Sequence, residues 1–171
     1  MAVIPVVVED WQQQCCGDAF AIGDRVSWQL RYGEGSRELL QPAERVRLSL
    51  GAEPIPDSDG AHLSSGELHV FWSEPTAKNG LAEVVGVLTE ERHDNFGIPP
   101  TVGYVRRIRR LAMEHRREFG TRVWHQQPGT ETFVEAWGSE AEVDTRADAP
   151  ADADVARRDV GLLVDLEVSL G

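Results

Sequence analysis

Lysine is nearly missing from this chain of 171 residues: Lys78 stands alone beside 16 arginines. Arginine and lysine are exchangeable at most exposed sites and differ chiefly where a bidentate or stacked contact is made. With the abundance of Ala, Val, Asp and Gly, the bias reads first as the coding habit of a GC-rich genome. Cysteine is almost as scarce, and its two copies, Cys15 and Cys16, are adjacent. Neighbouring residues cannot form an ordinary loop-closing disulfide. That excludes a disulfide-framed miniprotein and suits a reducing, cytoplasmic setting. No run approaches the ~18 apolar residues of a membrane helix. The longest candidate, Val3 to Val8, is interrupted by Pro5, has no basic residue before it and is too short for a signal-peptide core. A membrane role is therefore not expected. Phosphate-binding glycine loops, nucleophile elbows and zinc-protease helices are also missing.

What is present is an ordinary globular composition, 41% apolar, with a formal net charge of −12. A chain of this length fits one domain on a prior of about 150 residues, and can bury a full core. The reading is a single domain over 1–171. Its charge is segregated. Tyr104 to Arg122 holds seven arginines against Glu114 and Glu118, a net of +5 that leaves −17 for the rest. Overall acidity opposes indiscriminate nucleic-acid binding, which needs a positive field. It leaves open a local contact through the stripe.

Patterning along the chain is dominated by strands. Val3 to Val8 reads as a buried strand. Val26, Trp28 and Leu30 alternate with polar residues after a Gly23-Asp24 turn, the period of a half-buried strand. Val46, Leu48 and Leu50 repeat the pattern, and Leu68 to Trp72 is a further candidate. Leu81 to Thr89 reads as one apolar strand with a bulge or close approach at Gly86. Thr101 to Met113 fits a strand to about residue 111, although Tyr104, Ile108, Leu111, His115 and Phe119 also fall at helical spacing. Residues 112–119 stay open between helix and strand. Trp124 and the Phe133 to Trp137 run, on either side of Pro128-Gly129, predict a hairpin. Residues 138–158, rich in Ala, Asp and Glu, read as a flexible acidic insertion before a final strand at Gly161 to Val168. No internal repeat is found. The sum predicts a mainly β protein: a small, partly open β-barrel of SH3-like or OB-like kind, with a β-hairpin extension and a disordered acidic loop.

Val8-Glu9-Asp10-Trp11-Gln12, Cys15-Cys16-Gly17, Phe20 and Gly23-Asp24-x-Val26-x-Trp28 resemble the opening of an uncharacterised actinobacterial family, a domain of unknown function. Gly103 to Arg109 and Gly161 to Val168 are similar to it too, so the likeness spans about a quarter of the chain. It implies a bacterial cytoplasmic protein. It implies no activity, ligand or catalytic residue.

Three sets of residues are candidates for function. Arg106, Arg107, Arg109 and Arg110 offer charge contacts to a partner, most readily an acidic protein. Nucleic acid is the weaker alternative, because single strands also want interleaved aromatic residues, and Tyr104 alone sits beside these arginines, with Phe119 and Trp124 at the far end. Trp11 and Gln12, with Trp28, supply the indole and amide groups of a pocket mouth. Cys15 and Cys16 could bind a soft metal, since thiolates are preferred ligands for zinc or copper(I), but they are poorly spaced for one tetrahedral ion. The five histidines, His62, His69, His93, His115 and His125, include no pair at short ligand spacing. No cofactor is expected. His93-Asp94 with Glu90 and Glu91 could serve acid–base chemistry, though such clusters are common in exposed loops. The reading is a non-catalytic binding module. Its first rival is a metal- or thiol-dependent protein using Cys15 and Cys16, and its second a nucleic-acid binder using the 106–122 arginines.

Overall fold

β-Branched and alternating runs lay down most of the frame. The computed structural model describes residues 1–33, 40–73, 80–140 and 154–171. In chain order its elements are β1 (Ala2–Glu9), α1 (Asp10–Cys16), β2 (Arg25–Tyr32), β3 (Val46–Pro54), β4 (Ala61–Ser65), β5 (Leu68–Trp72), β6 (Gly80–Gly86), β7 (Leu88–Glu91), β8 (Thr101–Arg117), β9 (Trp124–Gln126), β10 (Thr132–Ala136) and β11 (Val155–Val168). The architecture is mainly β, as the patterning predicted. Among the described residues no helix is long and apolar enough to cross a membrane.

Five strands close a ring. β1 pairs with β11 on one side and, in parallel, with β7 on the other. β7 pairs with β2, β2 with β8, and β8 with β11. The ring is part of one large mixed sheet rather than a free-standing small barrel, because β2 has a second allegiance. Its first half, Arg25 to Trp28, lies on β8; Gln29 to Arg31 lie on β7; and Leu30 to Tyr32 also pair in parallel with β5. From β5 the sheet runs on through β4, β3 and β6.

Both faces of the ring's central strands are covered, which explains their near-continuous apolar sequence. Ile4, Val6 and Val8 of β1 enter the main core with Trp28, Leu30, Val105, Ile108, Leu162, Val164 and Leu166. Val7, between them in sequence, faces the other way into a second cluster with Leu40, Val87, Leu111, Met113 and Leu163. Each side chain so enclosed contributes about 1.5–3 kcal/mol relative to exposure.

Several boundaries differ from the sequence reading. Leu81 to Thr89 is two strands: Gly86, at φ +131°, ends β6, and the chain crosses from β3 to β1 and β2. β8 is a strand over its whole length to Arg117, so residues 112–117 are not helical. Its helical-looking spacing mixes the two faces of a doubly covered strand, with Ile108 in the main core, Leu111 in the second and Tyr104 toward solvent; the strand is also bulged. Arg107 opposes Asp165 and Val105 opposes Leu166, leaving Arg106 as an extra residue. Val105 and Ile108 therefore both reach the core although three positions apart. The predicted hairpin across Pro128-Gly129 does not form. β9 and β10 both pair with β8, at 115–117 and 108–112, and lie end to end along its edge. The hairpin is β8–β9. Of the acidic insertion expected at 138–158, residues 141–153 lie outside the described residues. The rest is not loop throughout: Gly138 bridges to Ala21, and the last strand starts at Val155 rather than Gly161. Gly161 marks the tightest approach of β11 to β1, where a Cβ would stand 2.1 Å from the Val8 carbonyl oxygen.

Candidate functional site

A seven-residue helix does not hold itself together in water, so α1 depends on what its side chains grip. Asp10, in the first turn, accepts a hydrogen bond from Arg110 Nη1 at 2.9 Å, which ties the helix to β8. Gln12 is fully buried. Its Nε2 donates to Glu9 Oε2 and to the Glu90 carbonyl at 3.2 and 3.3 Å, and its Oε1 accepts the Arg92 N–H at 2.9 Å. Gln13 Oε1 accepts from Arg92 Nη2 at 3.1 Å. Arg92 Nε lies 2.8 and 2.9 Å from the two Glu90 carboxylate oxygens. Burial raises the Glu90 pKa above the usual carboxylate value, and the Arg92 hydrogen bond opposes that rise. Gly17 leaves room for this packing: a Cβ there would meet Gln13 Oε1 at 2.5 Å and Arg92 Nη1 at 2.8 Å. The Trp-Gln to Cys-Cys-Gly run is thus a clamp that fixes α1 to the end of β7.

Beside this clamp is a cavity of about 620 Å³. It opens where β2 leaves β8 for β7. Phe20, Val26 and Trp28 form its apolar wall, with the Phe20 and Trp28 rings edge-on at 5.1 Å. Gln29, Glu90, Glu91 and Arg92 supply polar lining, and the exposed Asp18, Asp24 and Arg25 stand on the solvent side. Glu91 is 7% exposed and its Oε1 accepts the His93 N–H. Gln29 donates to the Ile98 carbonyl, while its own Oε1 is enclosed and, among the described residues, accepts nothing.

Of the three residues read as a pocket mouth, Trp28 lines the cavity. Gln12 stands behind the wall, bonded to two lining residues. Trp11 lies outside, 55% exposed and stacked on His93 with centroids 5.1 Å apart. Cys15 is exposed on α1, and Cys16 is the helix's last residue. Among the described residues no three or more His, Cys, Asp or Glu side chains converge as a metal site.

The four arginines read as charge contacts all sit on β8, but each is engaged within the chain. Arg106 pairs with Glu167, Arg107 with Glu135 and Arg110 with Asp10. Arg109 is 4% exposed, lies over the Phe133 ring and bridges Glu44 and Asp165. A contact that is missing from the sequence reading joins His62 and His69, whose Nε2 and Nδ1 are 3.0 Å apart. They are diagonal neighbours on the β4–β5 hairpin. Burial first, and His69 second, lower the His62 pKa below 6.5, against Glu53.

No curated protein and no solved structure matches this chain. The model of a family described as a family of unknown function, DUF6578, matches residues 2–168.

Proposed function

We propose, for a chain that belongs to the DUF6578 family, a non-catalytic, cytoplasmic binding module that receives a protein partner at the cavity beside α1. One observation carries the reading: the cavity joins an aromatic wall to buried polar groups, the combination typical of small binding sites. It is also braced from behind by the Gln12–Arg92–Glu90 network. Three of its four carboxylates accept hydrogen bonds within the chain, Glu90 from Arg92, Glu91 through one oxygen from the His93 N–H and Asp24 from the Ala21 N–H, which favours recognition over proton transfer. The β8 arginines, being internally paired, are the less available surface.

The test is affinity capture with three forms of the chain. Ala19, exposed on the cavity lining, is changed to Trp to obstruct the opening. Arg106 and Arg107 are changed together to Ala. A partner held by the native chain and by the arginine variant, and lost by Ala19→Trp, supports the cavity. Loss with the arginine variant alone moves the site to β8 and ends this reading.

A further inference from the structure

The chemistry of the cavity specifies its ligand more closely, on the premise that the cavity is the binding site. Gln29 and Glu91 are direct partners across β2 and β7. Cross-strand partners project from the same face, with Cβ atoms about 4.5–5.5 Å apart. Both line the cavity, and both hold an oxygen that lacks a donor. Gln29 Oε1 is enclosed without a hydrogen bond among the described residues. Glu91 spends Oε1 on the His93 N–H, and among the described residues its Oε2 accepts none. The Gln29 oxygen is closed off from solvent, whereas Glu91 Oε2 is not among the enclosed atoms and is open to a donor that enters the cavity.

Charge points the same way. The lining holds four carboxylates, Asp18, Asp24, Glu90 and Glu91, against Arg25 and Arg92. Arg92 is consumed by Glu90 and Gln13. What remains is three carboxylates against Arg25, a local net of −2. The Asp18 side chain makes no hydrogen bond or ion pair among the described residues. Phe20 and Trp28 add ring surface of the kind that attracts cations. At long range, a net charge of −12 steers basic partners toward the molecule.

We infer that the cavity recognises the guanidinium of an arginine presented by the partner, held by the carboxylates of its lining, Glu91 Oε2 first, beside the Phe20–Trp28 wall. A guanidinium is a planar fork of five donors and accepts nothing, which suits a lining with an excess of carboxylates better than a neutral amide or an anion does. The space of about 620 Å³ admits the side chain together with neighbouring backbone.

The test titrates the full chain with an acetylated and amidated Gly-Arg-Gly peptide, following tryptophan fluorescence and calorimetry. The matched peptide carries citrulline, which replaces the guanidinium by a neutral urea of similar shape. A Gly-Glu-Gly peptide is the anionic control. The arginine peptide should bind about tenfold or more tightly than the citrulline peptide, since hydrogen bonds to charged groups are the stronger ones. Glu91→Gln should remove most of that preference, and Asp18→Asn, on an exposed residue, should reduce it without touching the core. Equal binding of the arginine and citrulline peptides, or a preference unchanged in both variants, overturns the inference. Preference for the glutamate peptide overturns it too, but leaves the cavity as the site. If no peptide binds and Ala19→Trp retains the captured partner, the cavity reading falls with it. Free arginine amide separates the sources. Binding of the amide no tighter than the peptide's supports an arginine presented by a partner; binding clearly tighter than the peptide's overturns that source in favour of a small guanidino molecule.

Discussion

The arginine strand and the cavity wall both gather charge, and they are built in opposite ways. On β8, four arginines within five positions each meet a carboxylate of the same chain, supplied by segments as distant in sequence as Asp10 and Glu167. At the cavity, Glu91 Oε2 and the Asp18 side chain have no partner among the described residues, and Gln29 Oε1 is enclosed without one. The dense charge run is therefore largely internal cement, while the sparse one faces outward with unmet hydrogen-bonding capacity. Density of like charge in a sequence does not report how available that charge is.

The comparison breaks most visibly at Arg109. Its guanidinium bridges Glu44 and Asp165 with 5% of the side chain exposed. Removing one member of a buried ion pair leaves the others uncompensated, at a cost of about 3–5 kcal/mol. Arg109→Ala should lower Tm by roughly 6–20 °C, at about 2–4 °C per kcal/mol for a domain of this size. Thermal and urea unfolding read this directly. A loss below about 1 kcal/mol, the size of a surface pair, would mean that β8 is an exposed stripe after all.

The next effect belongs to Gln12. Alanine there strips the Glu90 carbonyl and the Arg92 N–H of their partners in a closed space. The cost should be about 1–3 kcal/mol by urea unfolding. Because Gln12 stands behind the cavity rather than in it, Gln12→Ala should also weaken capture of the partner, and Trp11→Ala should change it little. The opposite ranking would place the site at the exposed indole.

Much of the frame was readable from residues, and the exceptions have physical causes. β1, β2 and the second half of β11 announce themselves because burial on one or both faces writes alternating or continuous apolar runs. β8 was ambiguous because both its faces are covered, so Ile108 of the main core and Leu111 of the second fall three apart, the spacing of a helix. α1 escaped notice because Trp-Gln-Gln-Gln-Cys-Cys has no apolar stripe; contacts with Arg92 and Arg110 hold it instead. Trp28 and Gln12 could be named in advance as unusual polar or aromatic residues at strand ends. The Gln29–Glu91 pair could not, since it depends on a register between strands about sixty residues apart. The His62–His69 contact did leave a signal. Ser65 and Leu68 close a two-residue turn at Gly66-Glu67, and that turn makes the two histidines diagonal neighbours.

That histidine pair yields a pH prediction on a third part of the sheet. His62 titrates below its unfolded value of 6.5 because burial and His69 disfavour its charged form. The stability it contributes is present above that value and is lost as pH falls through its folded pKa. The urea midpoint should therefore fall between pH 7.5 and pH 5.5. His69→Gln, which removes one of the two causes, should shrink the fall. An unchanged fall in His69→Gln would assign it to other groups.

The smallest effect is the one that most sharpens the contrast within β8. Arg107 and Glu135 form an ion pair like that of Arg109, only two residues away, yet their side chains are 49% and 62% exposed. Their hydrogen bond lowers the Glu135 pKa and raises that of Arg107. For a lowered carboxylate, the stability is present above the unfolded pKa and disappears as pH falls through the folded one. Solvent screening limits its size: exposed pairs contribute about 0.2–1 kcal/mol, and added salt weakens them further. A double-mutant cycle with Arg107→Ala and Glu135→Ala should give a coupling inside that range at 0.15 M salt and near zero at 1 M. A cycle with Arg109→Ala and Asp165→Ala should keep most of its larger coupling at both. If the two cycles respond alike to salt, burial is not what separates the two arginines, and β8 carries one kind of charge along its whole length.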